Sequence, residues 1–181
     1  YDISTATFDS IALSVVGQDS VPTAMLFNDD GTTLYVLGET GNDINAYTLS
    51  TAYDISTATF DSIALNVTAQ DTSPIDMVFN GDGTVLYVLG FVSDDINAYT
   101  LSTPFDISTA TFDSVVLIVS EQEISPAGIL FNDTGDTFYV IGNTGDEINA
   151  YSLTTPYDIS TATFDSIALS VAAQEASPYD M

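Results

Sequence analysis

Lysine, arginine and histidine are absent from this 181-residue chain, which carries 26 Asp and Glu and a formal charge of −26. Ordinary domains contain plenty of Lys and Arg, so the absence excludes several functions at once. Nucleic acid is ruled out as a partner, because phosphate contacts need cations. An anionic membrane surface repels such a chain for the same reason. No side-chain salt bridge can form, so the carboxylates must be spaced apart, hydrated, or neutralised by metal ions, salt or acid. They lose their charge below a pH of ~4, which also suits an acidic medium. Cysteine is missing too, which leaves the redox compartment unmarked. Without His, Cys, Lys or Arg there is no triad, no Schiff base, no imidazole metal site and no cationic oxyanion clamp. Paired carboxylates are the remaining acid–base machinery. Unbroken apolar runs span only a few residues, far short of the ~18–20 that cross a bilayer, so no membrane insertion is expected.

What the chain does have is repetition, which governs the reading of everything else. The phrase Tyr-Asp-Ile-Ser-Thr-Ala-Thr-Phe-Asp-Ser-Ile-Ala-Leu starts at Tyr1 and returns, with small changes, at Tyr53, Phe105 and Tyr157, each time 52 residues on. Within one unit, 23–28 is a short apolar run, 29–32 reads Asp-Asp-Gly-Thr, and 33–38 is a second β-rich run. Two such runs around an Asp-Gly turn predict a β-hairpin, since glycine accepts the positive φ of the tight turn. Alternation over 44–49 predicts a third strand and 59–67 a fourth, joined by a polar connector rich in Asx and Ser/Thr turn formers. Apolar spacing of helical period is absent. The expected fold is therefore all-β, in tandem four-stranded antiparallel blades, because four strands at a period of ~40–50 residues mark a propeller blade.

The pattern Pro-x-x-(Met/Ile)-(Leu/Val)-Phe-Asn-x-x-Gly-x-x-(Leu/Phe)-Tyr-Val-(Leu/Ile)-Gly, followed by Ile-Asn-Ala-Tyr, resembles the repeats of lactonase-like and YVTN-type β-propellers. The connector resembles a repeat of uncharacterised marine phage and bacterial surface proteins. Both resemblances run the length of the chain, and they specify a blade rather than an activity. The expected division is an orphan fourth strand and linker at 1–21, blade repeats at 22–73, 74–125 and 126–177, and the start of a next blade at 178–181. With no initiator Met or signal peptide, the chain is expected to be an internal piece of something longer. A closed propeller needs at least four blades. Unpaired edges recruit another copy, and a heterologous contact that does not close makes a filament. The expectation is a non-enzymatic structural segment of an extracellular, cell-surface or virion-surface fibre, with self as partner. The alternative is a closed propeller that binds a glycan or protein, which should show a groove lined by residues that break the repeat.

Most acidic residues recur in register, among them Asp19, Asp71, Glu123 and Glu175, and a residue present in every unit is explained by the blade before a single active site. Calcium is the candidate ion, since hard cations take carboxylate and carbonyl oxygens. Its candidate ligands sit in the turn before the third strand: Asp43 beside Asn42, Asp94 with Asp95, and Asp146 with Glu147. Asn66 and Asn132 head sequons that would carry glycans on an exposed surface. Tyr35, Tyr87, Tyr139, Tyr47, Tyr99 and Tyr151 recur with the strands and read as packing rather than a sugar platform. Phe91 and Val92 place an apolar pair in a turn that is polar in the other units, and form the candidate interface.

Overall fold

The computed structural model describes residues 3–175 and 177–179. It is all-β, with three four-stranded antiparallel sheets. The first blade comprises β1 (Pro22–Phe27), β2 (Thr33–Gly38), β3 (Asp43–Leu49) and β4 (Ala58–Asn66). The second comprises β5 (Pro74–Phe79), β6 (Val85–Gly90), β7 (Asp95–Leu101) and β8 (Ala110–Ile118). The third comprises β9 (Pro126–Phe131), β10 (Thr137–Gly142), β11 (Glu147–Leu153) and β12 (Ala162–Ser170). Strands pair in chain order within each blade, and the first strands face one another, β1 against β5 and β5 against β9.

Local chemistry sets each turn. In the first hairpin Thr33 N–H donates to Asn28 Oδ1 (2.9 Å) and Thr32 N–H to Asp30 Oδ1 (2.9 Å). Gly31 takes φ +71°, and a Cβ there would stand 2.4 Å from the Tyr53 ring. Glycine thus serves both the left-handed backbone and the close approach of an aromatic. That aromatic is the first residue of the repeated phrase. Tyr53, Phe105 and Tyr157 all adopt left-handed φ near +60°, and each N–H donates 2.8 Å to the turn glycine's carbonyl. The polar connector carries a short 3-10 turn that the sequence reading missed, Ile55–Thr57. Asp54 caps it, accepting from Ser56 N–H at 3.0 Å, as Asp106 and Asp158 do in later units.

The hydrophobic cores lie between blades. Tyr35, Leu37, Ile44 and Ala46 of the first blade pack on Met77, Leu86, Val88 and Tyr99 of the second. One unit on, Tyr87, Leu89, Ile96 and Ala98 pack on Ile129, Phe138, Val140 and Tyr151. These apolar positions correspond one for one between the two interfaces. Burial of a strand on both faces, as in β2 and β6, gives the near-continuous apolar runs seen in the sequence.

The first copy of the repeated phrase differs from the later ones. Residues 7–15, read as an orphan fourth strand, form no strand. Their counterparts β4, β8 and β12 each ladder onto the third strand of the same blade, and among the described residues 7–15 has no strand beside it to ladder with. The side chains still find their places: Leu13 and Val15 pack against Leu34, Val36, Tyr47 and Leu49.

Candidate functional site

The recurring acids are structural, and the first set is buried. Asp19, Asp71 and Glu123 are almost fully enclosed, each just before the first strand of its blade. Asp19 accepts from Val21 N–H (2.6 Å) and, across the blade, from Gly41 N–H (2.8 Å). Asp71 repeats this with Ser73 and Ser93, and Glu123 with Ser125 and Thr144. Each carboxylate ties the start of its blade to the turn between the second and third strands. Burial opposes the charge of Asp19, but the N–H groups of Gly41, Val21 and Thr40 outweigh it and hold the carboxyl below its ordinary value. The contact depends on glycine: a Cβ at Gly38 would lie 2.1 Å from Asp19 Cγ.

The calcium candidates occupy that same turn, but they divide into two sets. Asn42, Asp94 and Asp146 hold left-handed φ of 47°, 48° and 48°. With its amide nitrogen directed inward, Asn42 donates 2.9 Å to Glu39 O and to Thr72 O, so that it joins the first blade to the approach of the second. Asp94 Oδ1 and Asp146 Oδ1, at the same position, are enclosed without a hydrogen-bond partner. Burial raises the Asp94 carboxyl above its ordinary value, and the charges of Glu123 and Asp71 add to this. The second set points elsewhere. Asp43 and Asp95 accept from Asn45 Nδ2 (2.7 Å) and Asn97 Nδ2 (2.8 Å), and burial raises both carboxyls. Glu147 takes their place in the third blade, where Asn149 Nδ2 is left buried and unpartnered. Among the described residues, no group of three or more His, Cys, Asp or Glu is arranged to hold a metal ion.

The sequon residues differ in freedom. Asn66 is exposed at the end of β4, with Nδ2 3.2 Å from Gly41 O. Asn132 holds its hairpin turn, donating to Asp136 Oδ1 (2.7 Å) and accepting from Thr137 N–H (3.1 Å). Five of the six recurring tyrosines are buried, and Tyr139 is half-buried. Tyr47, Tyr99 and Tyr151 donate to Gln18, Gln70 and Gln122 at 3.0–3.1 Å.

Positions where the units disagree gather in one place. A cavity of about 280 Å³ is lined by Thr23, Ile75, Ala127 and Tyr179, the same position in four successive units, together with Phe91 and Asn143. Phe91 and Val92 are both exposed, and Phe91 lines this cavity. Beside it, Asp76 replaces the Ala24 and Gly128 of the other units. It is buried and accepts from Met77 N–H and from Ile129 N–H of the next blade, both at 2.8 Å. The disagreement at 76 was legible in the sequence, but its role as a bridge between β5 and β9 was not.

No family model matches the chain, and comparison with curated proteins gives no match. Solved structures do match. A candidate 6-phosphogluconolactonase of Bacteroides fragilis superposes with a TM-score of 0.61 at 19% identity, over 83% of this chain and 39% of that one. The hydrazine synthase of Kuenenia stuttgartiensis gives 0.59 at 15%, over 97% and 42%. The periplasmic gluconolactonase of Pseudomonas aeruginosa gives 0.55 at 14%, over 82% and 38%. The chain thus spans about two-fifths of the length of each. At these identities the likeness establishes the fold alone: blades of the β-propeller type.

Proposed function

We propose that this chain is a non-enzymatic structural segment of an extracellular, cell-surface or virion-surface fibre, built from blades that dock on blades of their own kind. The observation that carries the reading is the recurrence of the same buried apolar positions at both inter-blade interfaces. The outward faces carry the two halves of that same interface. Met25, Phe27, Leu34 and Val36 lie on one side, and Leu130, Ile167 and Leu169 on the other. A further blade, in a continuing chain or a second copy, would dock on these faces. The charge of −26 with no cation opposes lateral sticking at low salt and leaves the apolar faces as the cohesive surface. Calcium is proposed as a counter-ion for these carboxylates; an unchanged melting temperature on calcium titration would remove it. Glycans on Asn66 and Asn132 belong to the same reading, and an intact mass equal to that of the polypeptide would remove them.

A second reading has its own support. The gathering of Thr23, Ile75, Phe91 and Tyr179 around one cavity is the arrangement expected of a propeller that binds a glycan or protein where its strands converge. Lactone chemistry is carried in the names of three structural neighbours. We do not extend it to this chain. Electron microscopy of native material separates the readings. Continuous filaments of uniform subunits support the fibre, and discrete rings of one size support the binding module.

A further inference from the structure

The second blade departs from its sister units in one direction. Val92 stands where the other turns have Thr40 and Thr144. Ile118 takes the position of Asn66 and Ser170, Val116 that of Ala64 and Ala168, and Ile124 that of Ser20 and Thr72. Each exchange puts a larger apolar side chain where the sister units carry a polar or smaller one. None of the four is taken into a core: Val92 and Ile118 are each 63% exposed, Ile124 60% and Val116 43%. Burial on folding therefore does not account for them. Exposed apolar residues scattered singly need no explanation, but a group gathered in one place marks a contact surface.

The four flank one turn, 91–94. Ile118 pairs with Asp95, the residue that follows the turn, and Val116 pairs with Asn97. Val119 N–H donates 2.9 Å to Asp94 O, which holds the end of β8 against the turn. Ile124 lies on the approach to the third blade. Its counterpart Thr72 accepts through its carbonyl from Asn42, the residue at the position of Asp94. Phe91, beside Val92, and Ser125, beside Ile124, line the same cavity. The second blade has a complete blade on each side of it, so this exposure belongs to the interior of the array.

Carboxylates rim the patch. Asp94 and Asp95 adjoin Val92 and Ile118, and the exposed Glu121 lies between Ile118 and Ile124 in the chain. The Asp94 carboxyl is raised by burial first and then by the charges of Glu123 and Asp71, so negative charge gathers here. The chain has no Lys, Arg or His to offset it. A second copy would set the same carboxylates against these, and like charges face to face cost affinity. Apolar side chains flanked by Lys or Arg instead match both parts, the apolar centre and the acidic rim. We infer that Val92, Val116, Ile118 and Ile124 form a docking surface for a basic segment of another protein, which seats apolar side chains on the patch and its cations on the surrounding carboxylates. This surface is separate from the blade-on-blade faces and does not rest on the fibre reading.

The test is calorimetric titration of the full chain with three synthetic peptides of equal length. One alternates lysine with leucine, one lysine with serine, and one glutamate with leucine. The variant combines Val92→Thr, Val116→Ala, Ile118→Ser and Ile124→Thr, each change borrowed from a sister unit that folds with it. Near-ultraviolet circular dichroism checks the fold, and Ile118→Ser/Ile124→Thr serves as a milder version. The parent is expected to bind the lysine–leucine peptide at least roughly tenfold more tightly than the lysine–serine peptide, because only the former covers apolar surface. Binding of both should weaken as salt rises, and the glutamate–leucine peptide should not bind. The variants are expected to lose the tenfold advantage and to keep the weak attraction for lysine. Equal affinity for the two lysine peptides, no binding of either, or an advantage unchanged in both variants overturns the docking surface. A glutamate–leucine peptide that binds as tightly as its lysine counterpart overturns the basic partner. Sedimentation velocity on the same proteins covers the other occupant: self-association of the parent that the variant loses would make a second copy the occupant and overturn the basic segment.

Discussion

The phenol of Tyr35 donates to the backbone carbonyl of Phe105, across the junction between the first and second blades. Tyr87 does the same to Tyr157 across the next junction. The acceptors are the residues held at left-handed φ by the hairpin below them. One hydroxyl therefore couples the register of a blade to the turn of its neighbour. Both donors are buried, and burial raises their phenols far above the ordinary tyrosine value, so they remain protonated donors at any physiological pH. Replacing Tyr87 with Phe leaves a carbonyl without its partner and is expected to cost about 1–3 kcal/mol. Tyr139, at the same position of the third blade, makes no such bond among the described residues, and Tyr139→Phe should be nearly neutral. Chemical denaturation of the two variants checks the contrast; equal losses would mean that the hydroxyl contributes nothing across the junction.

Gly90 and Asp71 form the second relationship that a single change should break. A Cβ at Gly90 would stand 2.4 Å from Asp71 Oδ2, and Asp71 is held in place by Ser73 N–H and Ser93 N–H. Gly90→Ala must push a buried carboxylate off its donors. Overpacking of this kind costs about 1–3 kcal/mol. Gly17, with nothing near its Cβ position, is the control: Gly17→Ala should leave the melting temperature unchanged within error.

Much of the fold was legible because the same sentence is written several times. Strand order, hairpin turns and the all-β class follow from the Asn-x-x-Gly turns and the runs beside them, and β2 begins and ends where the apolar run does. The segment 7–15, read as an orphan fourth strand, carries the strand sequence without a ladder, because strand propensity is local but a ladder needs a partner. The 3-10 turn after Asp54 was hidden because its signal is one Asx cap rather than a periodicity. At the candidate site, recurrence pointed to the blade for Asp19, Asp71 and Glu123, whose carboxylates accept from backbone N–H groups. It could not tell that Asp94 and Asp95, adjacent in sequence, turn to different surroundings. Nor could it tell that Phe91, Ile75 and Tyr179, far apart in sequence, meet.

Glu147 offers a repair. In the first two blades Asp43 and Asp95 accept from the amide of the asparagine two residues on. The longer Glu147 does not, and Asn149 Nδ2 is buried without an acceptor. Glu147→Asp should restore the bond and stabilise the chain by about 1 kcal/mol. Differential scanning calorimetry would register it as a rise in melting temperature, and a fall would mean that Glu147 has a role its shorter counterparts lack.

Asp94 and Asp19 should make stability depend on pH in opposite directions. The Asp19 carboxyl is lowered, so its contribution is present above the ordinary unfolded value of 3.8 and is lost as pH falls through the lower folded value. The Asp94 carboxyl is raised, by burial first and then by the charges of Glu123 and Asp71. The folded chain then holds this proton more tightly than the unfolded chain. Asp94 favours folding most at or below 3.8 and does so progressively less as pH rises through its higher folded value. Asparagine supplies a donor at every pH, and Asn42 shows the bonds it makes from this position. Asp94→Asn should therefore be more stable than the parent at pH 7 by about 1 kcal/mol or more, with the advantage shrinking as the pH approaches 4. The reciprocal Asn42→Asp should import the same dependence at the first junction. Urea denaturation of the three proteins from pH 4 to pH 7 measures the differences directly. Parallel curves for Asp94→Asn and the parent would place the proton elsewhere among the carboxylates.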